Sequence, residues 1–403
     1  MVPSHSFTQR PDAPAGQKEG IVSRFHRHSL IILTVVLLLA MVYARASAAG
    51  PRDEEDATEG VSTTLVLEPG EGNPRNSEGD FIQLEDGRIL FAYTHFTGSA
   101  SDFGAAHVAG RYSSDGGKTW SGEDTVIVSN EGGMNTMSVS LLRLDNGEIG
   151  LFYLRKDSRA DCRLHMRVSN DEAQTWSGPR VCIEPPGYYV VNNDRVIQLK
   201  TGRLVIPAAR HSLPGQDFQH RGAALCYLSD DRGETWQRSD TILEAPPDSR
   251  SGLQEPGVIE LKDGRLMMLA RTDQGSQFRS YSSDAGITWS PAEPSDLVSP
   301  VSPATFERIP KTGDILLAWN NHKGIDEALR GKRTPFTVAI SRDEGQTWEH
   351  VKNIEDDPHG WYCYTAMEFV GDCVLLGHCA GDRRTGGLNR TQVLRIDIDW
   401  LYR

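Results

Sequence analysis

The phrase SSDGGKTW at residues 113–120 returns as SNDEAQTW at 169, SDDRGETW at 229, SSDAGITW at 282 and SRDEGQTW at 341. Its aspartates, Asp115, Asp171, Asp231, Asp284 and Asp343, stand 56, 60, 53 and 59 residues apart, a period that belongs to solenoids, propellers and arrays. A weaker phrase precedes each copy: LEDGRIL at 84, LDNGEIG at 144, LKTGRLV at 199, LKDGRLM at 261 and IPKTGDIL at 309. Flanked by short runs of β-formers such as DFIQL and ILFAY, it reads as the tight turn of a hairpin. A further strand leads into each SxDxGxTW phrase and another follows it, as in DTVIV at 124 and DTIL at 240. Four strands per unit make the blade of a β-propeller.

Five units are complete, and a sixth (YTAMEFVGDCVLLGHC at 364, then TQVLRIDIDWL at 391) lacks one strand and the repeated phrase. VSTTLVLE at 61 supplies the missing strand, and pairing the chain ends in one blade removes an open sheet edge. The expectation is an all-β, six-bladed propeller over residues 61–403, closed by its N- and C-terminal strands. The repeated phrase then has a structural role, in which aspartate accepts backbone N–H groups, glycine takes a conformation other residues resist, and tryptophan fills the gap between blades. Five equivalent carboxylates on one rim speak for a fastener rather than for catalysis. The second copy has Ala173 in place of glycine, which predicts a distorted or differently bonded turn.

The formal charge of −13 argues against nucleic acid as a partner, since phosphate backbones demand a basic surface. An anionic ligand would need a local arginine cluster. Before the propeller, Arg24, Arg27 and neighbouring histidines precede the 14-residue apolar run LIILTVVLLLAMVY and the small-residue stretch ARASAAG. Residues 1–49 read as a polar leader with a secretory signal cleaved near Ala46 or Ala48, or as an uncleaved membrane anchor, the only membrane association the sequence suggests. Residues 50–60 read as a flexible acidic lead-in. A secreted, periplasmic or cell-surface location is expected. Six cysteines permit disulfides, with Cys162 and Cys182 as a candidate pair, and buried free thiols are the alternative. No zinc-ligand spacing occurs, and neither metal nor cofactor is expected.

In a propeller blade, innermost strands begin, and second strands end, on the face opposite the SxDxGxTW turns. That rim collects Arg75, Glu78 and Asp80 in NPRNSEGD, Asn193, Asp194 and Arg195 in VNNDR, Glu255 in LQEPG, and Tyr364 in WYCYTA. It also collects Asp102, Arg155, Arg210, His211, Arg271 and Arg333 from second-strand ends and the loops beyond them. Each taken singly is an ordinary loop charge or strand-edge tyrosine.

Over residues 70–400 the chain resembles the exo-α-sialidases (neuraminidases), six-bladed propellers carrying such Asp-box repeats. EPGVIELKDGRLMMLAR is similar to the family segment with a buried glutamate and a substrate arginine, implying those roles for Glu255 and Arg271. By the same resemblance KRTPFTVAISRDEG carries a further triad arginine, Arg333; CYTAM carries the nucleophile, Tyr364; and SDFGAAHVAGRYSSDGG carries the proton donor, Asp102. Arg75 stands where the first triad arginine belongs, although the family's Arg-Ile-Pro is replaced by RNSEGD. Asp194 and Arg195 join the candidate substrate-binding set.

Three guanidinium forks suit a carboxylate. The resemblance thus implies an exo-glycosidase that takes a terminal acidic sugar, sialic acid first, from glycans by a retaining, tyrosine-dependent route. The rivals are a glycosidase for another acidic sugar, to which RNSEGD and NNDR point, and a carbohydrate-binding propeller without chemistry.

Overall fold

The computed structural model describes residues 60–403. The expected signal or anchor, and the lead-in up to residue 59, lie outside the described residues. Strand β1 (Val61–Leu67) is followed by blade I, with β2 (Arg75–Gln83), β3 (Ile89–Phe96), β4 (Ala106–Ser113) and β5 (Thr125–Val128). Blade II holds β6 (Asn135–Arg143), β7 (Ile149–Lys156), β8 (Cys162–Ser169) and β9 (Arg180–Val181). In blade III the innermost strand is split into β10 (Tyr188–Val190) and β11 (Ile197–Gln198), both paired with β12 (Leu204–Ser212), beyond which lie β13 (Ala223–Ser229) and β14 (Gln237–Arg238).

Blade IV comprises β15 (Gln254–Glu260), β16 (Leu266–Arg271), β17 (Ser276–Ser282) and β18 (Glu293–Val298). Blade V comprises β19 (Thr305–Arg308), β20 (Ile315–Trp319), β21 (Phe336–Ser341) and β22 (Glu349–Glu355). Blade VI runs β23 (Gly360–Val370), β24 (Cys373–Asp382), β25 (Thr391–Asp397), and then β1, antiparallel to β25 from Val61↔Ile396 to Leu67↔Thr391. The chain ends meet in one blade, as expected.

Side chains complete the ring where backbone bonds do not. Six apolar clusters fall one to each seam, among them Leu90 with Leu151 between blades I and II, Met268 with Leu228 between III and IV, and Phe91 with Leu375 between VI and I. Burying each such side chain is worth roughly 1.5–3 kcal/mol, so every seam contributes to closure.

The repeated phrase fastens these seams. In the first copy Asp115 Oδ1 accepts the Thr119 N–H at 2.9 Å, Oδ2 accepts the Thr119 hydroxyl at 2.7 Å, and Ser113 Oγ accepts the Gly117 N–H at 2.9 Å. Gly117 has φ +80°, and an added Cβ would lie 2.7 Å from Leu375 of the preceding blade. The second copy differs from expectation. Ala173 takes φ +61° and keeps the same bonds, Ala173 N–H to Ser169 Oγ at 3.0 Å and Thr175 N–H to Asp171 Oδ1 at 2.9 Å. The turn's hydrogen bonds outweigh the left-handed strain on alanine. All six cysteines are buried free thiols, so Cys162 and Cys182 are unpaired in this structure.

A second repeat lies at the axis. Pairing slips in β2, β6, β15 and β23, and the residue displaced has a positive φ: Glu78 at +52°, Ser138 at +56°, Glu255 at +44° and Tyr364 at +57°. Asp194, φ +54°, occupies the gap between β10 and β11. A bulge of this kind turns a side chain out of the alternation of its strand, here at equivalent heights in five blades.

Candidate functional site

Two of those bulges present Glu255 and Tyr364, and strand ends bring the arginines around them. Arg271, the last residue of β16, places Nη1 2.7 Å from Glu255 Oε2. The alignment is poor, leaving both atoms buried without a completed hydrogen bond, while Nε of Arg271 donates to Gln254 Oε1 at 3.0 Å. Arg333, in the loop before β21, stacks its guanidinium 5.1 Å from the Tyr364 ring centroid and 5.4 Å from that of Trp361. Its Nη1 donates to Cys363 Sγ at 3.0 Å.

Arg75 opens β2 and is 1% exposed. Nη1 donates to Asp102 Oδ1 at 2.6 Å and to the Ala100 carbonyl at 3.2 Å; Nη2 donates to Ser77 Oγ at 3.1 Å and Glu78 Oε2 at 3.4 Å. Phe96 packs under the guanidinium, 4.5 Å from its carbon. Asp102 belongs to the loop joining β3 to β4, and its side chain is 58% exposed. Its backbone is held from blade II: the Asp102 carbonyl accepts Lys156 Nζ at 2.6 Å and Asn135 Nδ2 at 2.9 Å, and Asn135 also reaches the Gly104 carbonyl at 2.9 Å.

These groups set one another's protonation. Desolvation pushes the Asp102 carboxyl up, but Arg75, with Lys156 and Arg271 behind it, outweighs that and holds it below the usual aspartate range. Burial raises Glu78 to about 8, with Arg75 only partly offsetting it. Burial first and the Glu255 carboxylate second push the Tyr364 phenol up, against the pull of Arg333 and Arg271. Tyr364 is therefore a neutral phenol at neutral pH.

Asp102, Arg75, Glu255, Arg271, Arg333 and Tyr364 thus gather on one rim. Asp194 and Arg195 do not join them. They form, with Asn193, a plug across the axis: Asn193 Nδ2 donates to the carbonyls of Gly79 at 2.8 Å and Tyr364 at 3.1 Å, and Asp194 Oδ2 accepts the Met367 N–H at 3.1 Å. Arg195 spends its terminal donors on the Ala304 carbonyl at 3.1 Å, Thr305 Oγ1 at 3.2 Å and the Asp194 carbonyl at 2.9 Å. Beyond the plug, the later halves of all six innermost strands line a separate cavity of about 540 Å³ with Asp80, Asp194, Glu307 and Glu368 in its wall.

Sequence reasoning passes over Lys156, and it places Asn193 and Glu78 on the rim without a role for either. YLRKD draws attention to Arg155, which faces outward to Asp157 at 3.2 Å; strand alternation is the signal that its neighbour Lys156 faces in. Among the described residues, no group of three or more histidine, cysteine or acidic side chains is arranged to hold a metal ion.

The fold finds counterparts among known proteins. A sialidase of Micromonospora viridifaciens is 26% identical over 343 residues, covering 75% of this chain and 50% of its own. An anhydrosialidase of Macrobdella decora is 29% identical over 229 residues, 52% of this chain and 28% of its own. The chain therefore spans half or less of the length of these curated relatives. The sialidase structure from Streptococcus pneumoniae superposes with a TM-score of 0.66 at 14% identity, over 84% of this chain and 71% of that one, which supports the propeller architecture. The BNR repeat-like domain model matches residues 87–375, and the chain belongs to that family.

Proposed function

We propose that the protein is an exo-acting glycoside hydrolase that releases terminal sialic acid from glycoconjugates with retention of configuration. The observation that carries this reading is the convergence on one rim of three arginines, the Glu255–Tyr364 neighbourhood and Asp102, drawn from blades I, IV, V and VI. Relatives named sialidases support the same substrate class. The expected leader supports action outside the cytoplasm.

The chemistry follows from charge. Arg271, Arg333 and Arg75 orient the sugar carboxylate. As the aglycone leaves, positive charge grows on the anomeric carbon beside that carboxylate. A carboxylate nucleophile would be repelled there; the Tyr364 phenol is not. Its oxygen bonds to the anomeric carbon while Glu255 takes its proton and Asp102 delivers one to the leaving oxygen. In the second step Asp102 takes a proton from water, the hydroxide oxygen displaces the phenolic oxygen, and Glu255 returns its proton.

The purified protein is expected to hydrolyse a fluorogenic α-sialoside. Tyr364→Phe and Asp102→Ala each lower kcat by about 10²–10⁴-fold with unchanged circular dichroism. Hydrolysis of another acidic glycoside alone would move the reading to that sugar, a shift the extra carboxyl of Glu78 beside Arg75 favours. Binding of sialosides without turnover would mark a lectin.

A further inference from the structure

Two of the three arginines in the site meet carboxyls: Asp102 and Glu78 on Arg75, and Glu255 on Arg271. Burial keeps Glu78 protonated below about 8, so Asp102 is the anion that occupies Arg75. Arg75 is also covered, by Asp102 and the Ala100 carbonyl, so nothing reaches its Nη1 until Asp102 lets go. The Asp102 backbone is pinned by Lys156 and Asn135, whereas its side chain is exposed to water. Rotation of that side chain removes the charged acceptor from Nη1 and leaves the Ala100 carbonyl in place.

We propose that the carboxylate of the acidic sugar displaces Asp102 from Arg75, and that the displaced aspartate takes one proton from solvent, so that binding itself loads the proton donor. This rests on the sialidase reading and adds to it the origin of the proton. Bond and charge balance are simple: one ion pair is exchanged for another, and one proton moves from buffer to an Asp102 carboxyl oxygen. The direction is set by neighbours. Once Arg75 is engaged by the sugar, Asp102 faces a ligand carboxylate and keeps only Lys156 and Arg271 as neighbouring cations; the charge-assisted hydrogen bond that stabilised its anion is gone.

Linkage makes this measurable. The group is low in the free protein and higher in the complex, so between those two values binding takes up a proton, and affinity weakens as pH rises, by up to about tenfold per unit. Titration calorimetry of the full protein with the 2,3-unsaturated glycal of N-acetylneuraminic acid, in buffers of different ionisation enthalpy at about pH 6, above the ordinary aspartate range of ~4, reads the proton count. Uptake of about one proton is expected, retained in Glu78→Gln and lost in Asp102→Asn. Tight binding without uptake overturns the proposal, as does uptake that disappears in Glu78→Gln and persists in Asp102→Asn. Failure of every sialoside and of the glycal to bind is a different result: it removes the functional reading, and the proton with it.

Discussion

Three residues on equivalent bulges, Glu78, Glu255 and Tyr364, occupy one local conformation and have different surroundings. Glu255 has Arg271 at 2.7 Å; Glu78 has Arg75 only at 3.4 Å and is buried. A glutamate raised to about 8 is protonated in the folded chain and ionised in the unfolded one at neutral pH. The folded state then binds more protons, so its stability falls as pH rises between the ordinary glutamate value of ~4.3 and about 8. Glu78→Gln removes that dependence, and its Tm advantage over the parent should grow between pH 5 and pH 8, read by thermal melts in parallel buffers. An advantage that shrinks over the same range contradicts the assignment. The positions of Arg75, Glu255, Arg271 and Tyr364 were legible in the sequence because strand direction alone decides which rim a strand end occupies. Lys156 was not, since a lysine buried against a backbone carbonyl, Met137 and the Phe103 and Tyr188 rings looks like any strand-end charge until its neighbours are placed.

At the scale of elements, the turn that fastens the blades was legible except at Ala173, where the expected distortion is absent, and the bulge that displaces Glu78, Glu255 and Tyr364 was not legible. The turn is local: its serine, aspartate, glycine and threonine bond one another within seven consecutive residues. A bulge is a relation between two strands, so the repeated slip in β2, β6, β15 and β23 leaves no fixed phrase behind. The same distinction explains Asp194 and Arg195, whose charges suggested a ligand but whose segment is stitched to several blades at once. Two mutations separate these effects. Ala173→Gly relieves left-handed strain and should stabilise by up to about 1 kcal/mol, whereas Gly117→Ala adds both strain and a clash with Leu375 and should cost about 2 kcal/mol. Asn193→Ala leaves the Gly79 and Tyr364 carbonyls without their buried donor, at a cost of about 1–3 kcal/mol. Urea unfolding with a common m-value checks all three.

The whole ring carries two opposing sets of carboxyls. Around the axis, burial raises Asp80, Asp194 and Glu307, and lifts Glu368 to about 7. In the fasteners, threonine and serine donors lower Asp171 and Asp231 and bring Asp115 to about 2, and the same donors outweigh desolvation at Asp284 and Asp343. The axial set binds extra protons when folded and destabilises the ring as pH climbs through neutrality; the fasteners lose their stabilisation as pH falls below ~4. Tm should peak in mildly acidic buffer, and a steady rise from pH 5 to pH 8 would contradict this. The candidate site is likewise a property of the closed ring, because blades distant in sequence must meet before Asp102, Glu255 and Tyr364 share one rim. Its most direct test is mass spectrometry of the protein after exposure to a 2,3-difluoro analogue of sialic acid, whose anomeric fluoride leaves while the second fluorine slows release of the sugar. An adduct on the peptide containing Tyr364, absent from Tyr364→Phe, is the predicted result. Turnover of sialosides with the adduct on Glu255, or on any residue other than Tyr364, would contradict the account.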